Sequence, residues 1–100
     1  MNNYRLYIGL NVNGQADWER QDAINIIISV CKAKGISALS LADCVGVYTY
    51  DNGQTVQENT LVLTLIDTDI IINDLCLALK SALRQECIML ERLADNFSFI

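Results

Sequence analysis

The chain has 100 residues, of which 52% are apolar, and it carries a formal net charge of −5. This length predicts one domain over residues 1–100, and the apolar fraction excludes a disordered chain. No apolar run reaches the ~18 residues that a membrane span needs, and the first residues lack the apolar core of a signal peptide. We therefore expect a cytoplasmic protein that has no membrane partner.

The chain begins with a strand and a helix. Apolar residues alternate with other residues over 4–12, which is typical of a half-buried strand. A turn is predicted at residues 13–15, and Asp17 is placed to cap or charge-complement the start of a helix. Apolar residues then recur at helical spacing. This pattern predicts a first helix over residues 16–34, which Gly35 ends in a left-handed conformation.

A hairpin signal lies in the middle of the chain. Asn52 and Gly53 tolerate the positive φ angles of a tight turn, and strand-like runs flank them at residues 44–50 and 59–67. We expect the two runs to pair as antiparallel strands. The second run is apolar on both faces, which is typical of a central strand. Residues 36–43 fit either a short strand or an approach loop.

The last third of the chain holds a second helix and an ambiguous segment. Thr68 and Asp69 offer a capping start for a helix that reaches about Arg84. Residues 85–93 fit either a strand or a continuation of that helix, and we favour the strand. The tail, residues 94–100, is predicted to add a short edge strand or to pack across the sheet.

The resulting order is β-α-β-β-α-β. Two helices that cover one face of an antiparallel sheet make a ferredoxin-like α+β fold. The chain resembles the broad ferredoxin-like group that includes dimeric α/β-barrel and PII-like ligand-binding proteins, and it is similar to a family of small uncharacterised bacterial proteins. The resemblance lies in Trp18, in residues 43–65 and in residues 79–91. It implies the fold and no functional residues.

Missing residue types exclude several kinds of chemistry. Without histidine there is no histidine-based triad and no histidine metal site, and the glycine-rich phosphate loop is absent. The carboxylates near the helix starts are expected to complement the helix dipoles rather than to bind a metal ion. We expect no enzyme, no cofactor and no metal site. Buried thiols are the predicted state of the four cysteines, which are Cys31, Cys44, Cys76 and Cys87.

Charge is segregated along the chain. No lysine or arginine occurs from Gly35 to Leu79, whereas six carboxylates do. Such a field attracts basic surfaces and repels nucleic acid itself. We predict a non-enzymatic inhibitor that occupies the basic nucleic-acid-binding surface of a protein or complex, with tyrosines as anchors. The predicted contact residues, which must then form one patch, are Asp43, Tyr48, Tyr50, Asp51, Glu58, Asp67, Asp69 and Asp74.

Size, acidity and the lack of a catalytic signature also make the chain similar to small acidic phage anti-CRISPR proteins. That resemblance implies a phage-encoded inhibitor that mimics DNA through its charge. The alternative is a small-ligand-binding or regulatory PII-like domain that forms homodimers through sheet faces or edges, because Val62 and Ile66 on the outer face need cover. An enzyme that uses carboxylates and tyrosines is the third alternative.

Overall fold

The computed structural model describes residues 2–12 and 15–100. Its elements are β1 (Asn2–Gly9), β2 (Asn11–Val12), β3 (Gln15–Ala16), α1 (Arg20–Ala33), β4 (Ser40–Thr49), β5 (Thr55–Thr68), α2 (Ile72–Leu83) and β6 (Met89–Leu93). Four strands form an antiparallel sheet in the order β4-β5-β1-β6, and β2 pairs with β3. The predicted ferredoxin-like α+β fold is confirmed. Within the described ranges, neither helix is long and apolar enough to cross a membrane.

The core lies between the sheet and the two helices. Leu6 of β1 pairs with Leu63 of β5, and Ile8 pairs with Leu61, so these side chains point to the same face. Burying each such side chain stabilises the fold by about 1.5–3 kcal/mol. In the described part of the chain, no helix covers the opposite face of the sheet. Among the described residues, the largest fully buried side chains are Leu6, Ile8, Leu10, Leu61, Leu63 and Leu65 from the sheet side, and Ile27, Cys31, Leu75, Leu79 and Leu83 from the helices.

The first helix starts later than predicted. Helix α1 begins at Arg20, because residues 15–16 pair with residues 11–12 instead of entering the helix. Asp17 does not cap the helix; its carboxylate pairs with Arg84. The predicted end is confirmed, since Gly35 has a φ of +83° and its N–H donates to the Lys32 carbonyl at 3.0 Å. The predicted turn at residues 13–15 falls largely on residues 13–14, which lie outside the described residues.

The second helix also lacks the predicted cap. Thr68 is the last residue of β5 and pairs with Asn2, so it is not available at the helix start. Helix α2 begins at Ile72, and no side chain caps it. The prediction that Thr68 and Asp69 start this helix is therefore wrong by a few residues. The helix ends at Leu83, and Arg84 follows in the left-handed conformation with a φ of 54°.

The central hairpin is confirmed. Thr49 pairs with Thr55, and the Gly53 N–H donates to the Tyr50 carbonyl at 2.9 Å. Gly53 alone supplies a positive φ, +86°, whereas Asn52 accepts a hydrogen bond from the backbone of Gln54. The central position of β5 is confirmed by its pairing with β4 and β1.

The end of the chain decides the two open predictions. Residues 89–93 form β6, so the strand alternative is confirmed for the second part of the segment 85–93, whereas residues 85–88 form a connection without regular structure. The tail 94–100 forms no strand, and its predicted edge strand is wrong; Phe97 and Phe99 pack edge to face at 5.5 Å. Among the cysteines, Cys31 is buried as predicted. Cys87 is exposed instead, because it precedes β6 and lies outside the core.

Candidate functional site

A cavity of about 780 Å³ lies on the open face of the sheet, opposite the helices. Strands β1, β4 and β5 form its floor, and residues 84–87, which connect α2 to β6, form part of its rim. The cavity is an open groove, and both polar and apolar residues line it. The residues that define its character are Tyr7, Gly9, Gly46, Tyr48, Glu58 and Arg84.

The carboxylate of Glu58 lies on the floor of this cavity. Glu58 is the cross-strand partner of Gly46, and Gly9 lies on the other side of β5. A Cβ atom on Gly9 would come within 2.7 Å of Glu58 Oε1, so the absence of a side chain at Gly9 makes room for the carboxylate. The Asn11 N–H donates to Glu58 Oε2 at 2.9 Å. The carboxylate is therefore held against the backbone of β1.

A second glycine makes room for an aromatic ring. A Cβ atom on Gly46 would lie 3.1 Å from the Tyr48 hydroxyl and 3.3 Å from its Cζ, so the ring covers Gly46. Burial raises the pKa of Tyr48, and the negative charge of Glu58 raises it further. Tyr48 therefore keeps its proton at neutral pH and presents a hydrogen-bond donor beside a carboxylate.

The rim of the cavity is anchored to the rest of the chain. The Gln85 side-chain amide donates to the Asn11 carbonyl at 2.9 Å, and the Trp18 indole N–H donates to the Leu83 carbonyl at 2.8 Å. Arg84 pairs with Asp17, and its guanidinium lies 5.1 Å from the centre of the Trp18 ring. These contacts fix the connection between α2 and β6 relative to β1 and to the start of α1.

The arrangement favours a ligand that combines positive charge with a flat ring. A carboxylate and aromatic faces both attract cations, and tyrosine rings stack on heteroaromatic groups. Tyr48 and Tyr50 are half-exposed, so their rings are accessible from the cavity mouth. In the part of the chain that the structure describes, no group of three or more cysteine or acidic side chains is arranged to hold a metal ion.

The predicted acidic contact residues do not form one patch. Asp43 pairs with the core residue Leu61 across the hairpin, so it faces the helices, where its Oδ1 lies 2.8 Å from Arg20 Nε. Glu58 faces the opposite side of the sheet. Asp51 lies at the hairpin tip, whereas Asp67 lies near the far end of β5, which is about 45 Å long at ~3.3 Å per residue. The expectation of a common acidic surface is wrong.

The remaining predicted residues divide into two groups. Tyr48, Tyr50 and Glu58 meet around the cavity. Asp69 and Asp74 are exposed in the loop before α2 and in its first turn, near Asp67. Whether any of these residues contacts a partner remains a prediction.

Several residues of the cavity were not predicted from the sequence. Gly46 lies inside β4 and Gly9 is the last residue of β1, and a glycine in a strand often marks the close approach of another group. That signal was present in the sequence and pointed to the floor of the cavity. Asn11 and Gln85 carried no comparable signal, because their roles depend on contacts between residues that are far apart in the chain.

Comparisons with known proteins bear on the function. No family model matches the chain, and no curated protein matches it. A solved structure of a phage SAM lyase in complex with S-methyl-5′-thioadenosine is similar, with a TM-score of 0.74 and 26% sequence identity over 92% of this chain and 79% of that chain. A phage SAM lyase in the apo state is similar with a TM-score of 0.72, 26% identity, and coverage of 92% and 78%.

These similarities correct two expectations from the sequence. Both structures are of a phage enzyme, so the prediction that the chain is not an enzyme is wrong. The prediction relied on the absence of histidine and of familiar catalytic motifs, which excludes only the chemistry that needs them. Neither structure is of an anti-CRISPR protein. The anti-CRISPR resemblance is therefore not confirmed, and the phage proteins that the chain is similar to are lyases.

Proposed function

We propose that the chain is a lyase that cleaves S-adenosylmethionine (SAM), and that the cavity on the open face of the sheet is its active site. The observation that carries the proposal is the likeness, over 92% of the chain, to a phage SAM lyase that holds S-methyl-5′-thioadenosine. The chain's own geometry supports it, because the cavity combines the carboxylate of Glu58 with the tyrosine rings that a sulfonium and an adenine favour.

The chemistry of a sulfonium fits a site without histidine. SAM carries a positively charged sulfur. When the bond from that sulfur to the methionine-derived chain breaks, the bonding electron pair stays on sulfur and S-methyl-5′-thioadenosine leaves as a neutral thioether. This leaving group takes no proton, so no general acid is needed to protonate it. Because a lyase adds no water, the carbon that loses sulfur forms its new bond to an oxygen of the substrate's own carboxylate, which closes a lactone and needs no proton transfer.

In this proposal, the residues of the cavity bind the substrate and orient it for the reaction. Glu58 attracts the cationic part of the substrate, and Tyr48 donates a hydrogen bond from a hydroxyl that keeps its proton. The rings of Tyr48 and Tyr50 supply stacking surfaces at the cavity mouth. Orientation is the main contribution that the protein makes to a reaction within one substrate, and good alignment is worth several orders of magnitude in rate.

The direct test is product formation. The purified chain is incubated with SAM, and S-methyl-5′-thioadenosine is measured by chromatography and mass spectrometry. In water labelled with oxygen-18, the early four-carbon product is expected to contain no labelled oxygen. Glu58→Gln should reduce the rate by at least about 100-fold, whereas Asp74→Asn, an exposed carboxylate in α2, should not change it. If the wild-type chain forms no S-methyl-5′-thioadenosine, the proposal is rejected.

We propose that any role of this chain against bacterial defence acts through the cleavage of SAM. An inhibitor that works through an acidic surface has little support, because Asp43 and Glu58 face opposite sides of the sheet. Asp51 and Asp69 are exposed outside the cavity lining. Reversing the charge of both is expected to leave SAM cleavage unchanged. Loss of a host partner in pull-downs of that variant, at low salt, would instead support an acidic interaction surface.

A further inference from the structure

A short chain of hydrogen bonds runs from the rim of the cavity to its floor. The Gln85 side-chain amide donates to the carbonyl of Asn11 at 2.9 Å. The backbone N–H of the same Asn11 donates to Glu58 Oε2 at 2.9 Å. The three residues are far apart in sequence, and Asn11 is the link between the other two.

The position of Asn11 is set by its neighbours in the fold as well as by Gln85. Asn11 lies just beyond β1, in the two-residue strand β2, where it is the cross-strand partner of Ala16. The preceding residue, Leu10, is held by its N–H, which donates to the Asn59 carbonyl at 2.9 Å. Past that point the main strand pairing of β1 ends, and the Gln85 amide holds the Asn11 carbonyl. The direction of the Asn11 N–H is therefore set from both sides of the residue.

We propose that Gln85 is a positioning residue for the carboxylate of Glu58. It acts through Asn11 and does not itself touch the reacting atoms. Gln85 fixes the Asn11 carbonyl, the Asn11 N–H points at Glu58 Oε2, and the carboxylate stays over Gly9, facing the cavity. This inference rests on the proposed function for its effect on rate, but the hydrogen-bonded contact that it describes is a property of the fold.

The chemistry of an amide suits this role. The Gln85 nitrogen carries two hydrogens, and it also donates to the Leu83 carbonyl at 3.2 Å, so one side chain joins two backbone oxygens. Methionine has a similar length and no donor. Glutamate has the same shape, but its oxygens would face two carbonyl oxygens and repel them. Both substitutions therefore remove the link while they keep the bulk of the side chain.

The first experiment separates positioning from binding. Gln85→Met is expected to lower kcat for SAM about tenfold and to change KM less than about twofold, because the carboxylate is misplaced while the cavity remains. In a Glu58→Gln background, the same change should have almost no further effect on kcat. Gln57→Met, an exposed glutamine of β5 outside the cavity lining, is the matched control and should behave as wild type.

A second measurement does not need activity. In wild type, Glu58→Gln should shift the NMR signal of the Asn11 amide proton, because its acceptor changes. In Gln85→Met the shift caused by Glu58→Gln should be much smaller, since the Asn11 N–H no longer points at residue 58. The spectrum also reports whether each variant is folded, and Gln85→Glu replaces Gln85→Met if the latter unfolds.

The outcomes are distinct. Two results would overturn the positioning role. One is that Glu58→Gln shifts the Asn11 amide signal equally in wild type and in Gln85→Met. The other is that Gln85→Met lowers kcat equally with Glu58 and with Gln at position 58. A wild-type chain that does not cleave SAM overturns the proposed function, and the NMR comparison then decides the role of Gln85 alone.

Discussion

The carboxyl group of Glu58 lies in the space that a side chain on Gly9 would occupy. Gly9 does not have a positive φ, so glycine is needed at this position because it lacks a side chain and not because of its backbone conformation. Alanine at this position should push the carboxylate away from the Asn11 N–H, whereas the strand itself should tolerate alanine. We expect Gly9→Ala to lower the rate of the proposed SAM cleavage by about 10- to 100-fold with little change in the midpoint of thermal unfolding.

Gly46→Ala is the matched control for that substitution. Its Cβ would meet the Tyr48 ring at 3.1–3.3 Å, so the ring must shift by a few tenths of an ångström while Glu58 keeps its place. The expected effect is weaker binding of S-methyl-5′-thioadenosine, measured by calorimetry, with a smaller loss of kcat than Gly9→Ala gives. Equal losses of kcat in the two variants would contradict the separate roles of the two glycines.

Tyr48 should ionise later than an ordinary tyrosine. Burial and the charge of Glu58 both raise its pKa above the usual 10.0. The phenolate absorbance of wild type minus that of Tyr48→Phe should therefore titrate above pH 10. In a Glu58→Gln background the same difference should titrate at a lower pH, because one negative charge is gone. A difference curve that does not respond to Glu58→Gln would show that the two side chains are not close.

The cysteines should differ sharply in reactivity. Cys87 is exposed and lines the cavity, whereas Cys31 is completely buried in the core. A thiol reagent such as an aromatic disulfide should modify Cys87 first, and S-methyl-5′-thioadenosine should slow that reaction. The fast phase should be absent in Cys87→Ser. Rapid modification of Cys31 in the folded chain would contradict the packing of α1 against the sheet.

The buried thiol also predicts how stability depends on pH. Burial raises the pKa of Cys31 from 9.0 to about 11. The unfolded chain therefore loses this proton at lower pH than the folded chain does. The contribution to stability is fully present below pH 9 and is lost as the pH rises to about 11. Urea unfolding over this range should show a steeper fall in the free energy of unfolding for wild type than for Cys31→Ala.

Trp18 joins the start of α1 to the end of α2. Its indole N–H donates to the Leu83 carbonyl at 2.8 Å, and its ring lies beside the Arg84 guanidinium. Trp18→Phe keeps an aromatic ring but removes the hydrogen bond and weakens the cation–π contact. We expect a loss of about 1–2 kcal/mol in the free energy of unfolding, measured in urea. An unchanged free energy would show that the Gln85 amide, which also donates to the Leu83 carbonyl at 3.2 Å, satisfies that oxygen alone.

Sequence patterns predicted the elements well and their ends less well. Alternation identified β1 and β5, helical spacing identified α1 and α2, and Asn52-Gly53 identified the hairpin. The helix starts were wrong because Asp17 pairs with Arg84 and Thr68 pairs with Asn2, and neither contact is visible in local sequence. Propensity describes neighbours in the chain, whereas these partners come from the tertiary fold.

The residues that line the candidate site overlap those predicted from the sequence, although the sequence predicted a different role for them. Tyr48, Tyr50 and Glu58 were named as parts of an acidic contact surface, and the structure places all three around the cavity. Residues close in sequence were expected to share a surface, but alternation along β4 and β5 sends Asp43 and Glu58 to opposite faces of the sheet. Clustering of charge along a chain does not imply clustering in space when the chain is a strand.

Two hydrogen bonds join the floor of the cavity to its rim. The partners Asn11 and Glu58 are 47 positions apart in the chain, and the partners Asn11 and Gln85 are 74 positions apart. Closing such long loops lowers chain entropy before the contacts form, and chains dominated by such contacts fold slowly. Glu58 lies in β5 and Gln85 lies shortly before β6, the two strands that flank β1, so both contacts of Asn11 depend on the assembly of this sheet. In refolding experiments, the return of the proposed SAM cleavage should therefore coincide with the slowest kinetic phase, and a partly folded chain should not cleave SAM.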